Sequence, residues 1–201
     1  IFCAVPRIME KLFDAIMDKG RNLKGIRKFI FYRAITIGQL YEPGRSHSAF
    51  FQLQLLFARK LVFNKWHEAF GGKLVSIVSG GASLNPRISR IFWAAGFKTM
   101  EGYGLTETSP VIAVSNFLKD GVRAGTVGPV LPGVELKFST DGEILVRGPG
   151  VMMGYYNRPD RTSEVIDTEG WFHTGDIGQM IDKKYLQITD RKKEIFKTSG
   201  G

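Results

Sequence analysis

The chain is short of several things. It has one cysteine, Cys3, in 201 residues. No internal disulfide can form, so a reducing, cytoplasmic setting is expected. No apolar run comes near the roughly 20 residues of a membrane span, so no spanning helix is expected. Internal repeats and low-complexity tracts are absent too. So is an ordinary start: residue 1 is Ile, Ile-Phe-Cys-Ala-Val is no signal peptide, and the last residues, Lys-Thr-Ser-Gly-Gly, stop in a glycine-rich stretch. The expectation is an internal piece of a longer protein.

Acidic residues are scarce in one place. Residues 1–66 carry twelve Lys/Arg against four Asp/Glu, which is +8 of the net +9. Such a segment suits nucleic acid, an anionic membrane face or a phosphorylated ligand. No nucleic-acid motif accompanies it, and its cations alternate with core-like apolar residues, so nucleic acid is not the expected partner.

What is present is enough to fold. A chain that is 43% hydrophobic and 12% aromatic is not disordered and can fill one large domain or two small ones. Residues 5–16 read as a helix behind Pro6, with Ile8, Leu12, Phe13 and Ile16 on one stripe. Residues 22–37 read as a second, with Leu23, Ile26, Ile30, Ala34 and Ile37 inward and Lys24, Arg27 and Lys28 beside them. Residues 50–70 are helical again, using Phe51, Leu55, Leu61 and Trp66.

The pattern then changes. Residues 73–79, Lys-Leu-Val-Ser-Ile-Val-Ser, are a buried-strand signal followed by the loop Gly80-Gly81-Ala82-Ser83. Asn85 can cap a helix with Pro86 at its first position, and Gly96 can end it. Residues 97–101 form a second strand candidate. The order strand, loop, helix, strand is a βαβ unit with a parallel sheet. From about residue 125 short strands alternate with turn signals, among them Asp141-Gly142 between 134–138 and 143–146, and Asp182-Lys183-Lys184 between 176–181 and 185–189. The expected class is α/β. A parallel βαβ portion with a basic helical segment fills 1–124, a small β-barrel-like subdomain fills 125–189, and 190–201 are a linker.

Two loops, 80–83 and 102–108, follow strands at one sheet edge, where parallel sheets hold ligands. The second opens Glu101-Gly-Tyr-Gly-Leu-Thr-Glu-Thr-Ser-Pro110. Gly102 and Gly104 would let backbone approach a ligand, the Tyr103 ring could stack on a purine, the Thr106 hydroxyl could meet a phosphate, and Glu107 suits Mg²⁺. The competing reading is an ordinary glycine-rich connection with a capping Thr and a surface Glu. Asp176, in Trp-Phe-His-Thr-Gly-Asp, could accept from vicinal ribose hydroxyls or simply turn a hairpin. His173 reads as a structural hydrogen-bonder. Arg191 could hold ribose or phosphate, or sit on a solvated face.

Taken in order, SGGA, YGLTETSP, GEILVRGPGVMMGYYNRP, GWFHTGD and DRKKEIFKTSGG resemble the adenylate-forming acyl-CoA synthetases. With VPRIMEKL at the start, they look most like long-chain fatty acid–CoA ligases. The resemblance implies an AMP-forming acid–thiol ligase using ATP and Mg²⁺, with coenzyme A and a fatty acid as co-substrates. By motif, Gly81 and Ala82 would line adenine, Tyr103 would stack on it, and Gly104 would border it. Thr106 would touch phosphate, Glu107 would bind Mg²⁺, and Asp176 with Arg191 would hold the ribose. Thr106 and Glu107 would serve catalysis as well.

The family's phosphate-binding loop with its lysine, and its C-terminal lid, are not in this chain, so the chain by itself is expected to turn over little or not at all. The alternatives are another acid substrate (aryl, medium-chain or amino acid) or a scaffold that binds nucleotide without catalysis. Residues 22–37 could rest peripherally on an anionic leaflet, although a core-facing helix with a basic edge is preferred.

Overall fold

In the computed structural model, which describes residues 1–118 and 120–192, a short strand β1 (Phe2–Ala4) precedes the first helix. Pro6 fills the first position of α1 (Pro6–Arg21), where a missing N–H costs nothing. Helix α2 (Gly25–Leu40) follows. The chain divides into two compact units. The first holds residues 1–101 and 116–125; the second holds 102–115 and, in its described part, 126–192.

The helices of the first unit bury most of the faces the spacing suggests: Phe13, Ala34, Ile37, Leu55 and Trp66 are buried, and Leu12, Ile16, Leu23, Ile30 and Phe51 pack against the same core. In α1 the fully buried residue is Met9, while Ile8 is exposed. In α2 Phe31, Ala34, Ile35 and Ile37 are buried, and Ile26 stands out at 69% exposure. Apolar residues lie on more than one side of α2, so packing decides which of them, such as Ile26, stays outside the face the period marks. Glycines set the approach. The Phe31 ring occupies the space where a Cβ on Gly20 would stand, and a Cβ on Gly38 would lie 3.3 Å from the Ile91 Cα. The third helical stretch is not regular. Helix α3 (Ala49–Ala58) passes through a π-helical turn (Arg59–Phe63) into α4 (Asn64–Ala69). The wide turn shifts the register. Val62, Phe63 and Trp66 go inward, and Leu61 is left exposed.

Strand β2 (Ser76–Ser79) lies between β1 and β3 (Lys98–Gly104), parallel to both. Between them, α5 (Pro86–Ala94) begins as its sequence suggests: the Asn85 side chain accepts from the Arg87 amide at 3.0 Å. Gly96 follows it at φ +96°. Helix α5 brings Ile91, Phe92 and Ala94 into a core with Phe63, Ile77 and Phe97.

In the second unit the last residues of β3, 102–104, pair antiparallel with β4 (Val111–Val114). Glycine 102 to glycine 104 is thus strand, not the loop expected. A five-stranded antiparallel sheet follows, in the order β5 (Gly128–Pro129), β9 (Tyr185–Arg191), β8 (Phe172–Ile181), β7 (Glu143–Arg147), β6 (Glu135–Phe138). Helix α6 (Pro159–Val165) lies between β7 and β8 in sequence. Ile112, Val127, Ile144, Val146, Phe172 and Leu186 form the unit's core. Strand β9 runs on to Arg191; residues 193–201 of the expected linker lie outside the described residues. Among the described residues, no helix is long and apolar enough to cross a membrane.

Candidate functional site

The second unit gathers most of the expected site residues. Tyr103 lies in the part of β3 that pairs with β4, opposite Ala113. Asp176 lies within β8 and is the register partner of Arg191 across β9. Antiparallel pairing therefore puts the arginine beside the aspartate. Asp176 is buried, and its two oxygens are held by different groups. The Tyr103 hydroxyl donates to Oδ2 at 2.7 Å, and Arg191 Nε lies 3.3 Å from Oδ1. Arg191 is two-thirds exposed, so the ion pair orients the carboxylate more than it stabilises the fold. Burial pushes the Tyr103 hydroxyl far above its usual range, with Thr174 opposing and Asp176 adding to the shift. The phenol is therefore neutral, and donates.

Thr106 and Glu107 sit in a 3₁₀ turn (Thr106–Thr108) between β3 and β4. The neighbouring Thr108 fixes that turn from within. Its hydroxyl accepts from the Leu105 amide at 3.0 Å and lies 2.8 Å from the Pro110 carbonyl. Thr106 is exposed, and its hydroxyl makes no hydrogen bond among the described residues. Glu107 is half-buried, and its Oε1 accepts from the Tyr155 hydroxyl at 2.9 Å. The Met152 amide donates to the Glu107 carbonyl at 2.8 Å, so the 150–155 segment lies along this turn.

Gly104 has a different reason from the one expected. A Cβ there would lie 1.7 Å from the Pro110 carbonyl oxygen, so the turn's own backbone requires the glycine. Gly81 and Ala82 belong to the first unit. Both are exposed, and Gly81 has φ +84°.

Tyr155 is a neighbour of Glu107 that the residue pattern did not single out; it reaches the glutamate from 48 residues away. A second feature is a charge network around one buried carboxylate. Glu143 accepts from the Gly175 amide at 2.9 Å and from Lys192 Nζ at 2.8 Å, with His173 Nδ1 at 3.3 Å. Lys192 also reaches Asp141 at 2.8 Å. Glu143 thus secures the glycine just before Asp176, and His173 serves as the structural hydrogen-bonder expected of it. No group of three or more His, Cys, Asp or Glu that could hold a metal ion exists among the described residues. A lone carboxylate such as Glu107 fits Mg²⁺, which takes one or two protein ligands and keeps its waters and phosphates.

The chain is similar to known proteins over most of its length. The family model of AMP-binding enzymes matches residues 1–156. A long-chain-fatty-acid–CoA ligase, FadD15 of Mycobacterium bovis, is 37% identical over 203 residues, covering 100% of this chain and 33% of its own length. The chain thus spans about a third of the curated relatives it matches. A malonyl-CoA ligase in ternary product complex with methylmalonyl-CoA and AMP superposes with a TM-score of 0.52 at 36% identity, covering 69% of this chain and 31% of its own. The O-succinylbenzoate coenzyme A synthetase of Bacillus subtilis, in complex with ATP and magnesium ion, gives a TM-score of 0.51 at 29% identity, over 59% of this chain and 26% of its own.

Proposed function

Because this chain belongs to the AMP-binding enzyme family, we propose that it supplies the adenosine- and metal-binding turns of a long-chain fatty acid–CoA ligase. Asp176 carries the reading: it is a buried carboxylate oriented by Tyr103 and Arg191, on a unit that also holds Glu107. Each carboxylate oxygen has a further lone pair, enough for the two vicinal hydroxyls of a ribose. Arg191 assists. The Tyr103 ring offers a face to adenine, with Gly104 bordering it. In the first unit, the exposed loop at Gly81 and Ala82 is read, by motif, as lining adenine. Thr106 has a spare hydroxyl for a phosphate oxygen, and Glu107, steadied by Tyr155, would hold Mg²⁺. When bound, Mg²⁺ would neutralise charge on the phosphates.

In the reaction, the acid's carboxylate attacks the α-phosphate of ATP and pyrophosphate leaves. The coenzyme A thiol then displaces AMP to form the thioester. Thr106 and Glu107 act where charge develops.

The long-chain substrate draws support from the FadD15 relative. A second reading, a different carboxylic acid, draws support from the malonyl-CoA and O-succinylbenzoate enzymes. Pyrophosphate release across a panel of acids tests both, in a protein of the relatives' full length that carries this chain. Long-chain acids should react, and the 201-residue chain alone should not. Release with malonate or aryl acids only would favour the second reading, and no release with any acid would end both.

Two finer readings accompany the proposal. The five-stranded sheet, with irregularities at Glu143/Leu145 and Ile177/Gly178, is the wall of a barrel-like subdomain. Residues 22–37 touch membrane peripherally from a cytoplasmic side, since Ile26 and Phe29 are exposed beside Lys24, Arg27 and Lys28. Co-sedimentation with anionic liposomes at low salt checks the last, and an unbound protein ends it.

A further inference from the structure

Glu101 has no role in the chemistry above, yet it is buried to 5% exposure at the end of the parallel part of β3. Its backbone is the register partner of Ser79, the last residue of β2. Its Oε2 accepts from the Leu84 amide at 3.1 Å. Ser79 and Leu84 flank the loop Gly80–Ser83, so one residue grips both ends of it. The middle of the loop is open. Nothing lies within 4 Å of where a Cβ on Gly80 or Gly81 would stand, and Gly81, Ala82 and Ser83 are exposed.

This grip is not what packing alone would select. Burial pushes the Glu101 carboxyl up to about 7, and the Leu84 amide offsets that only in part. No charged side chain from β2, the loop or α5 contributes. Register partners on parallel strands present their side chains to one face. On that face the buried Ser79 hydroxyl has no hydrogen-bond partner among the described residues. An apolar side chain would avoid the burial of the carboxyl but would leave the Leu84 amide without its acceptor.

We propose that Glu101 is a positioning residue, whose carboxylate ties the exit of the Gly80–Ser83 loop to β3 and so sets where Gly81 and Ala82 meet a nucleotide. The inference rests on the adenine-lining reading of that loop. An ionised acceptor makes the stronger bond to the amide, so the tie weakens in acid.

The test measures KM for ATP, kcat and ATP binding by calorimetry from about pH 6 to about pH 8. It uses the protein at its relatives' full length, as wild type, Glu101→Leu and Glu101→Gln. Glu101→Leu should raise KM for ATP about tenfold and leave kcat within about threefold. Glu101→Gln keeps an acceptor but cannot ionise. Its KM should stay close to the acid-side value of wild type at every pH, without the fall that wild type shows as pH rises through about 7. A folded Leu variant with unchanged KM overturns the proposal, as does a Gln variant that keeps the wild-type pH profile. If the Leu variant does not fold, the Gln profile decides. Failure of the adenine reading would look different, because Ala82→Trp, which fills the open loop, would then leave KM for ATP unchanged as well.

Discussion

Each unit buries a glutamate almost completely, and the two are held in opposite ways. Glu101 in the first unit and Glu143 in the second are 5% and 4% exposed. Glu101 has one backbone amide, and burial carries its carboxyl up to about 7. Burial also pushes Glu143 upward, but the Lys192 ammonium, the His173 ring and the Gly175 amide outweigh it and hold the carboxyl below its usual range. Depth alone does not fix the charge of a buried acid; the number and sign of its donors do.

The largest test of that contrast lies in the first unit. Glu101 binds its proton more tightly folded than unfolded, so its ionisation opposes folding. The penalty is absent below about 4.5, grows with pH, and is complete above about 7. Glu101→Gln should therefore stabilise the chain by about 3 kcal/mol at alkaline pH and by almost nothing near pH 4. Denaturant titrations at both pH values check this, and an equal effect at the two would break the contrast.

The next effect belongs to the second unit. Tyr103→Phe removes a donor from the buried Asp176 carboxylate and should cost about 2 kcal/mol in the same titration. Lys192→Met should cost less, about 1 kcal/mol at neutral pH, because the lysine is a third exposed and Glu143 keeps two other donors. Glu143 has a lowered folded value, so its contribution is present above about 4.5 and lost as pH falls through that lower value. The Lys192→Met deficit should accordingly shrink in acid. A constant deficit would mean that the lysine acts through packing. The smallest effect should come from Tyr155→Phe, under about 0.5 kcal/mol, since the Tyr155–Glu107 pair is solvent-accessible.

Local rules were legible where the chain obeys them locally. Asn85, Pro86 and Gly96 mark the limits of α5 to within two residues. Asp141-Gly142 turns its hairpin, with Gly142 at φ +82°. The Tyr103–Asp176–Arg191 cluster was reached through ordered motifs, and no propensity could have joined residues 73 positions apart. Glycine 102 to glycine 104 is strand because pairing with β4 overrides the poor strand propensity of glycine. The π-helical turn, the exposure of Ile26 on α2 and the reach of Tyr155 to Glu107 depend on tertiary neighbours. A reading of periods along one segment has no access to those.

Gly104 has a consequence for mutagenesis. A methyl group at that position would collide with the peptide of Pro110 before it met any guest molecule. An alanine scan that lost affinity there would be reporting a reshaped bend between two strands, and would say nothing about where the guest lies.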